Sequence, residues 1–279
     1  MANKQTVKYV KRGGRDLELD IYLPENAEST RTAVILLHGG GWRMGEKSMM
    51  EIFGKELANH GFIALAPEYR LLDESPWPSQ IEDVKASIRW TRANATSLDI
   101  DPDKIAVQGF SAGGHLALLA GGTPNFPEFV GEGGNERIPD NVAAVVTFFP
   151  PIEFRLNPPS PDFIRASDLL GKTATREEAQ NASPIFYVSE NYPPTFLLHG
   201  TADWMVPCTT SQKMFNALLK KGVAVELHLY SNHTHEFVRL PSMLSMVQSE
   251  IVLFLKRVVV DPEKYETENL KLNMFAAID

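Results

Sequence analysis

The chain has 279 residues, 43% of them hydrophobic and 22% charged, which is ordinary for a globular protein able to bury a large core. Its formal net charge of −8 argues against a nucleic-acid surface, where Lys and Arg would cluster. The one cysteine, Cys208, excludes an intramolecular disulfide and suits a reducing compartment.

The opening MANKQTVKYVKRGGR lacks the apolar run of a secretory leader. No stretch approaches the ~18 apolar residues of a membrane span. The expected setting is therefore cytoplasmic. The expected organisation is one domain over 1–279.

In chain order, VKYVKRG (7–13) and LELDIYLP (17–24) flank Gly13 and Gly14 and predict an opening hairpin. AVILLHGG (33–40), FIALAPEYR (62–70), IAVQGFS (105–111), VAAVVTFFP (142–150), TFLLHG (195–200) and VELHLY (225–230) follow. Several are nearly continuous apolar runs, which suit parallel strands covered on both faces. Helical patterns lie between them at 49–60, 79–97, 207–221 and 242–258. The first ends at Gly61 and the third at Gly222, both natural helix stops. This alternation predicts an α/β fold with a mostly parallel eight-stranded sheet and helices on both faces. Residues 151–194 break the rhythm with PPIEFRLNPPSPDF and predict a small lid. The polar tail 261–279 has no assigned place.

Within this frame, Gly109-Phe110-Ser111-Ala112-Gly113 joins a strand to a helix as G-x-S-x-G. A serine held in so sharp a turn needs small neighbours two residues away, and glycine fills both positions. By itself the motif could be only a turn. A serine hydroxyl is a weak nucleophile that needs a base, and the base needs an orienting group. Asp203 follows one later strand, and His233 and His235 follow the next. All three are expected on the sheet edge that carries Ser111. Asp203 could instead be a turn cap.

His60 ends a helix, His115 lies one turn beyond Ser111, and His199 and His228 lie within strands, so they compete poorly as the base. The choice rests between His233 and His235, with His235 favoured. His38-Gly39-Gly40-Gly41-Trp42 directly follows a strand. Its bare backbone offers the N–H groups of Gly40 and Gly41, with that of Ala112, to an oxyanion. A phosphate loop is disfavoured because neither G-K-[ST] nor G-x-G-x-x-G is present. A metal set of His233, His235 and Asp203 would leave Ser111 and the glycines without a role. No cofactor or metal is expected.

HGGGW (38–42), GFSAGGHLA (109–117), HGTADWMVP (199–207) and HTHEF (233–237) together resemble the α/β-hydrolase superfamily. The likeness is to hormone-sensitive-lipase-like and feruloyl/acetyl-xylan-esterase-like (BD-FAE type) carboxylesterases. PEYRL (67–71), PSQIEDVKASIRW (78–90) and DPDKIAV (101–107) extend it over about residues 6–258. The resemblance implies a serine carboxylesterase with Ser111 as nucleophile, Asp203 as acid and His235 as base. It also implies that His38 braces the glycine loop.

Two departures stand out. Glu236 replaces the glycine of the family's H-G-F, and Phe110 replaces the aspartate of G-D-S-A-G-G. The second favours the xylan/feruloyl-esterase side. The implied partner is a small-molecule ester with a short acyl or aryl group, including acetylated or feruloylated carbohydrate. Homodimers are common in this superfamily. Trp42, Phe110 and Trp204 are candidate pocket residues, with Trp77, Phe149 and Phe154 as further aromatics. An arylformamidase-type amide hydrolase, a serine peptidase and a non-catalytic ligand-binding homologue are the alternatives.

Overall fold

The computed structural model describes residues 3–25, 27–157 and 164–268. Strands β1 (Asn3–Arg12) and β2 (Arg15–Leu23) form the opening hairpin. The chain continues through β3 (Ala33–Leu37), α1 (Glu51–Asn59), β4 (Ile63–Pro67), α2 (Ser79–Ala93), β5 (Ile105–Phe110), α3 (Ala112–Gly122) and β6 (Ala144–Phe148). Two short strands, β7 (Phe154–Arg155) and β8 (Ile164–Arg165), pair in parallel, and α4 (Ala166–Leu170) and α5 (Arg176–Asn181) follow them. The series closes with β9 (Thr195–Gly200), α6 (Thr209–Lys220), β10 (Val225–Tyr230) and α7 (Pro241–Leu255).

Eight strands make one sheet in the order β1-β2-β4-β3-β5-β6-β9-β10. β2 is antiparallel to both of its neighbours, and every other pairing is parallel. The expected mostly parallel eight-stranded sheet is therefore present. β3 explains the continuous apolar runs. Val34 and Leu36 point to the face that packs Phe53 and Leu57 of α1 and Val247 and Ile251 of α7. Ile35 and Leu37 point to the opposite face, with Ile81 and Val84 of α2, Leu116 of α3 and Met214 of α6. Side chains alternate across a strand, so a strand covered on both faces is apolar at every position. α3 is apolar nearly all round and is correspondingly buried.

Parallel strands place their carboxyl ends at one edge. The loops after β3, β5, β9 and β10 therefore meet there. The predicted helices form, the first three with one or both ends trimmed, while α7 begins one residue earlier than expected and passes into a π-helical turn over Lys256–Val260.

Part of the expected lid, residues 158–163, lies outside the described residues. Its described remainder covers α3. The Tyr192 hydroxyl donates to the Leu118 carbonyl at 2.5 Å, and Phe154 packs edge-on to His115 with ring centres 5.1 Å apart. Of the tail, 269–279 lies outside the described residues. Among the described residues no helix is long and apolar enough to cross a membrane.

The strand-to-helix joint sets a steric condition at its glycines. A Cβ on Gly109 would stand 2.1 Å from the Gly113 carbonyl oxygen, and one on Gly113 would stand 2.3 Å from that of Leu37. Both obstacles are backbone. Gly109→Ala is therefore expected to lose about 1–3 kcal/mol of stability or more. A lowered urea midpoint checks this; an unchanged midpoint would contradict the packing described.

Candidate active site

Ser111 has φ 52° and ψ −115°, an unfavourable conformation for a residue with a Cβ. Its N–H donates to the Phe148 carbonyl at 2.9 Å, which ties the turn to the end of β6. α3 begins at the next residue, so the hydroxyl sits beside the positive end of a helix.

His235 lies between two partners. Its Nε2 is 2.9 Å from the Ser111 Oγ, and its Nδ1 is 2.6 Å from the Asp203 Oδ2. The carboxylate can only accept, so Nδ1 carries the proton and Nε2 is left to accept from the hydroxyl. Phe149 backs the imidazole, with ring centres 4.3 Å apart.

Asp203 is buried and fully engaged. Its Oδ1 accepts from the N–H groups of Met205 and Val206, each at 2.9 Å. Its Oδ2 also lies 3.2 Å from His199 Nε2. Burial alone would raise its pKa. The hydrogen bonds from His199, His235 and the Val206 amide outweigh that and hold the carboxyl well below its usual range.

His199 takes a part beyond that of a strand residue. Its Nε2 faces the Val206 carbonyl at 2.8 Å, so that nitrogen carries the proton, and Nδ1 accepts from the Ser211 hydroxyl at 2.7 Å. The imidazole thus clamps the turn that carries Asp203. The spacing H-G-x-x-D over 199–203 was the only signal available.

His233, the competing candidate, turns away. Its Nδ1 faces the Ser231 carbonyl at 2.9 Å, and its own carbonyl accepts from the Ala202 N–H at 2.9 Å. The conceivable metal set of His233, His235 and Asp203 is not gathered, and among the described residues no other such cluster forms.

The glycine loop runs beside Ser111. Gly40 has φ +117°, and a Cβ there would stand 2.1 Å from the Met44 carbonyl oxygen. Gly41 has φ +60° and open space where a Cβ would be. Among the described residues no acceptor takes the N–H of Gly40, Gly41 or Ala112.

His38 is buried behind this loop. Its Nδ1 faces the Gly39 carbonyl at 2.7 Å, and Tyr69 stacks on it with ring centres 4.3 Å apart. Burial lowers its pKa against the opposing effect of that carbonyl, so it stays neutral and acts as a brace.

Trp42 donates from Nε1 to His115 Nδ1 at 3.2 Å, and His115 Nε2 faces the Ala182 carbonyl at 2.7 Å. Burial lowers the His115 pKa to about 4, only partly offset by that carbonyl. This neutral histidine links the glycine loop, α3 and the segment covering it.

Trp42 and Phe110 both line depressions that reach Ser111. Trp204 lines neither and is 78% exposed; its neighbours Met205 and Val206 line the cleft instead. The Asp203 carboxylate gathers the two following amides, and the turn it makes carries those residues toward the cleft.

The model of the BD-FAE family matches residues 19–218. The chain belongs to the BD-FAE family. The matched span of this BD-FAE protein holds the glycine loop, Ser111 and Asp203 and stops short of His235.

A probable carboxylic ester hydrolase, LipM of Mycobacterium tuberculosis, is 36% identical over 203 residues, covering 70% of this chain and 47% of LipM. The chain spans about half the length of the curated relatives it matches. Similar solved structures include a butyrate-bound esterase of Thermogutta terrifontis, with 26% identity, TM-score 0.79, and coverage of 91% of this chain and 94% of that one. A truncated carbohydrate esterase from gut microbiota matches with 28% identity, TM-score 0.80, and coverage of 91% and 97%. The α/β-hydrolase fold of this BD-FAE protein agrees with both.

The depressed Asp203 pKa has a consequence for stability. The carboxylate's contribution is complete above the unfolded value near 3.9 and is lost as pH falls through the lower folded value. Asp203→Asn should therefore cost about 1–3 kcal/mol at pH 7, and the gap from the parent should narrow below about pH 4. Urea unfolding at both pH values tests this; a gap that is constant with pH would contradict it.

Proposed function

We propose that the protein is a serine carboxylesterase acting on small-molecule acyl or aryl esters through an acyl-enzyme. The observation that carries this reading is the continuous hydrogen-bonded chain from Ser111 Oγ through His235 to Asp203. The family and the esterases among its relatives support it.

In this reading His235 Nε2 takes the proton as Ser111 Oγ attacks the acyl carbon. The imidazolium that forms lies 2.6 Å from a carboxylate already ionised. The tetrahedral oxyanion faces the N–H groups of Gly40, Gly41 and Ala112, and the helix end beneath it favours the same charge. His235 then gives its proton to the leaving oxygen. A water deprotonated by the same nitrogen attacks the acyl-enzyme and releases the acid. His199 and Ser211 keep Asp203 aligned throughout, and His38 holds the glycine loop.

Ser111→Ala should lower ester hydrolysis by at least about a thousandfold with the fold intact. A fluorophosphonate should label the parent at Ser111 and leave the variant unlabelled. Activity of the folded variant within a few-fold of the parent would overturn the proposal. His235→Ala should be as damaging, whereas His233→Ala should cost far less; the reverse order would reassign the base.

A further inference from the structure

Ser111 lies between two depressions of very different size. One is a slot of about 20 Å³ walled by Met50, Phe53, Phe110, Phe149 and Val238, with Gly39, Glu236 and Arg239 completing its lining. That is room for about one water-sized or methyl-sized group. The other is a cleft of about 360 Å³, apolar at Trp42, Pro151, Met205 and Val206 and polar at Arg43, Ser167 and Asp168.

The chemistry proposed above decides which part of an ester enters each. Once Ser111 Oγ has bonded to the acyl carbon, three directions remain. The oxyanion must face the N–H groups of Gly41 and Ala112, and both residues line the wide cleft. The leaving oxygen must face His235 Nε2, from which it takes its proton. His235 is backed by Phe149, and the chain runs on from it through Glu236 to Val238, all three of which line the slot. The acyl carbon chain takes the last direction, into the cleft between Trp42 and Met205.

The slot is rigid. Met50, Phe53, Phe110 and Val238 are all buried. Phe110 stacks on Phe148 with ring centres 4.5 Å apart and leans on Phe53 at 4.6 Å. Walls packed in this way resist a larger group, because a close-packed interior does not yield a methylene cheaply.

We infer that the enzyme is selective for esters of small primary alcohols on roomy acyl groups, and that Met50 and Val238 set the alcohol limit. This rests on the esterase reading above. It disfavours esters of sugar hydroxyls, whose ring would have to enter the slot. The wide cleft admits an aryl acid or an alkyl chain of several carbons.

Methyl hexanoate and pentyl acetate test this directly. They are isomers with the same atoms, and they differ only in which side of the ester is long. Hydrolysis is followed by titration of the released acid. The parent should favour methyl hexanoate in kcat/KM by at least about tenfold, the scale expected when a pocket excludes a methylene. Met50→Ala and, independently, Val238→Ala should narrow that ratio several-fold by raising turnover of pentyl acetate. Either variant suffices if the other fails to fold.

A parent preference for pentyl acetate, or a ratio unmoved in a folded variant, would overturn the inference while leaving the esterase reading in place. A parent that hydrolyses neither isomer and takes no fluorophosphonate at Ser111 would overturn both.

Discussion

The site depends on one backbone constraint, the reversal of the chain at Ser111. A residue with a Cβ held at φ 52° and ψ −115° costs about 1–3 kcal/mol. The surroundings offset that cost. β5 is paired on both sides, with β3 and β6, and the Ser111 N–H is taken by the Phe148 carbonyl. Gly109 and Gly113 let the turn close to contacts that no Cβ could tolerate. The glycine loop then stacks onto the turn: a Cβ on Gly39 would sit 3.3 Å from that of Ser111. The next residue after Phe148 is Phe149, itself at φ 41°, and it backs the imidazole of His235. Strain at the serine and support for the histidine thus share one strand end.

This geometry explains which parts of the site were legible in the sequence. In a parallel sheet, residues just past successive strands meet at one edge however far apart they are in the chain. Ser111, Asp203 and the glycine loop could be read from position alone. The pair His233 and His235 could not be separated by position, because both follow β10. What separates them is a backbone bond, the Ala202 N–H to the His233 carbonyl, which fixes the direction of the turn. His199 was read only as a strand residue, because its partners Val206 and Ser211 come from the turn and helix that follow. Trp204 was read as a pocket residue from its type, but the carboxylate beside it turns Met205 and Val206 inward instead.

The charges of α2 were the least legible part of the fold. Ile81, Val84 and Ile88 recur at helical spacing and are buried, but Lys85 and Arg89 are buried as well. Lys85 Nζ reaches Asp140 at 3.0 Å and Arg89 reaches it at 3.4 Å, while Arg12 and Arg70 share Asp83. No periodicity marks these pairs, since their partners are remote in the chain. Losing one partner of a buried pair costs about 3–5 kcal/mol, so the pairs hold α2 in place more by the penalty for disruption than by net attraction. α2 packs on α3, so the serine's helix rests on this ionic layer.

The seven histidines show how neighbours, rather than the imidazole itself, single out one ring as the proposed base. His38 and His115 are buried against neutral acceptors, and burial without a compensating charge keeps them uncharged. His199 is buried with one nitrogen committed to a carbonyl and the other to a hydroxyl. His60 and His228 stand near carboxylates at the surface, with no nucleophile beside them. His233 faces a carbonyl. His235 shares the Asp203 carboxylate with His199, but the hydroxyl on its other nitrogen is that of Ser111, which opens on the cleft, whereas His199 meets the buried Ser211. The carboxylate stabilises a positive charge on the ring, and the hydroxyl is the group whose proton would create it. Burial keeps bulk water from weakening that attraction. The rings held against neutral acceptors serve as braces, and the proposed base is the ring that lies between the acid and the reactive alcohol.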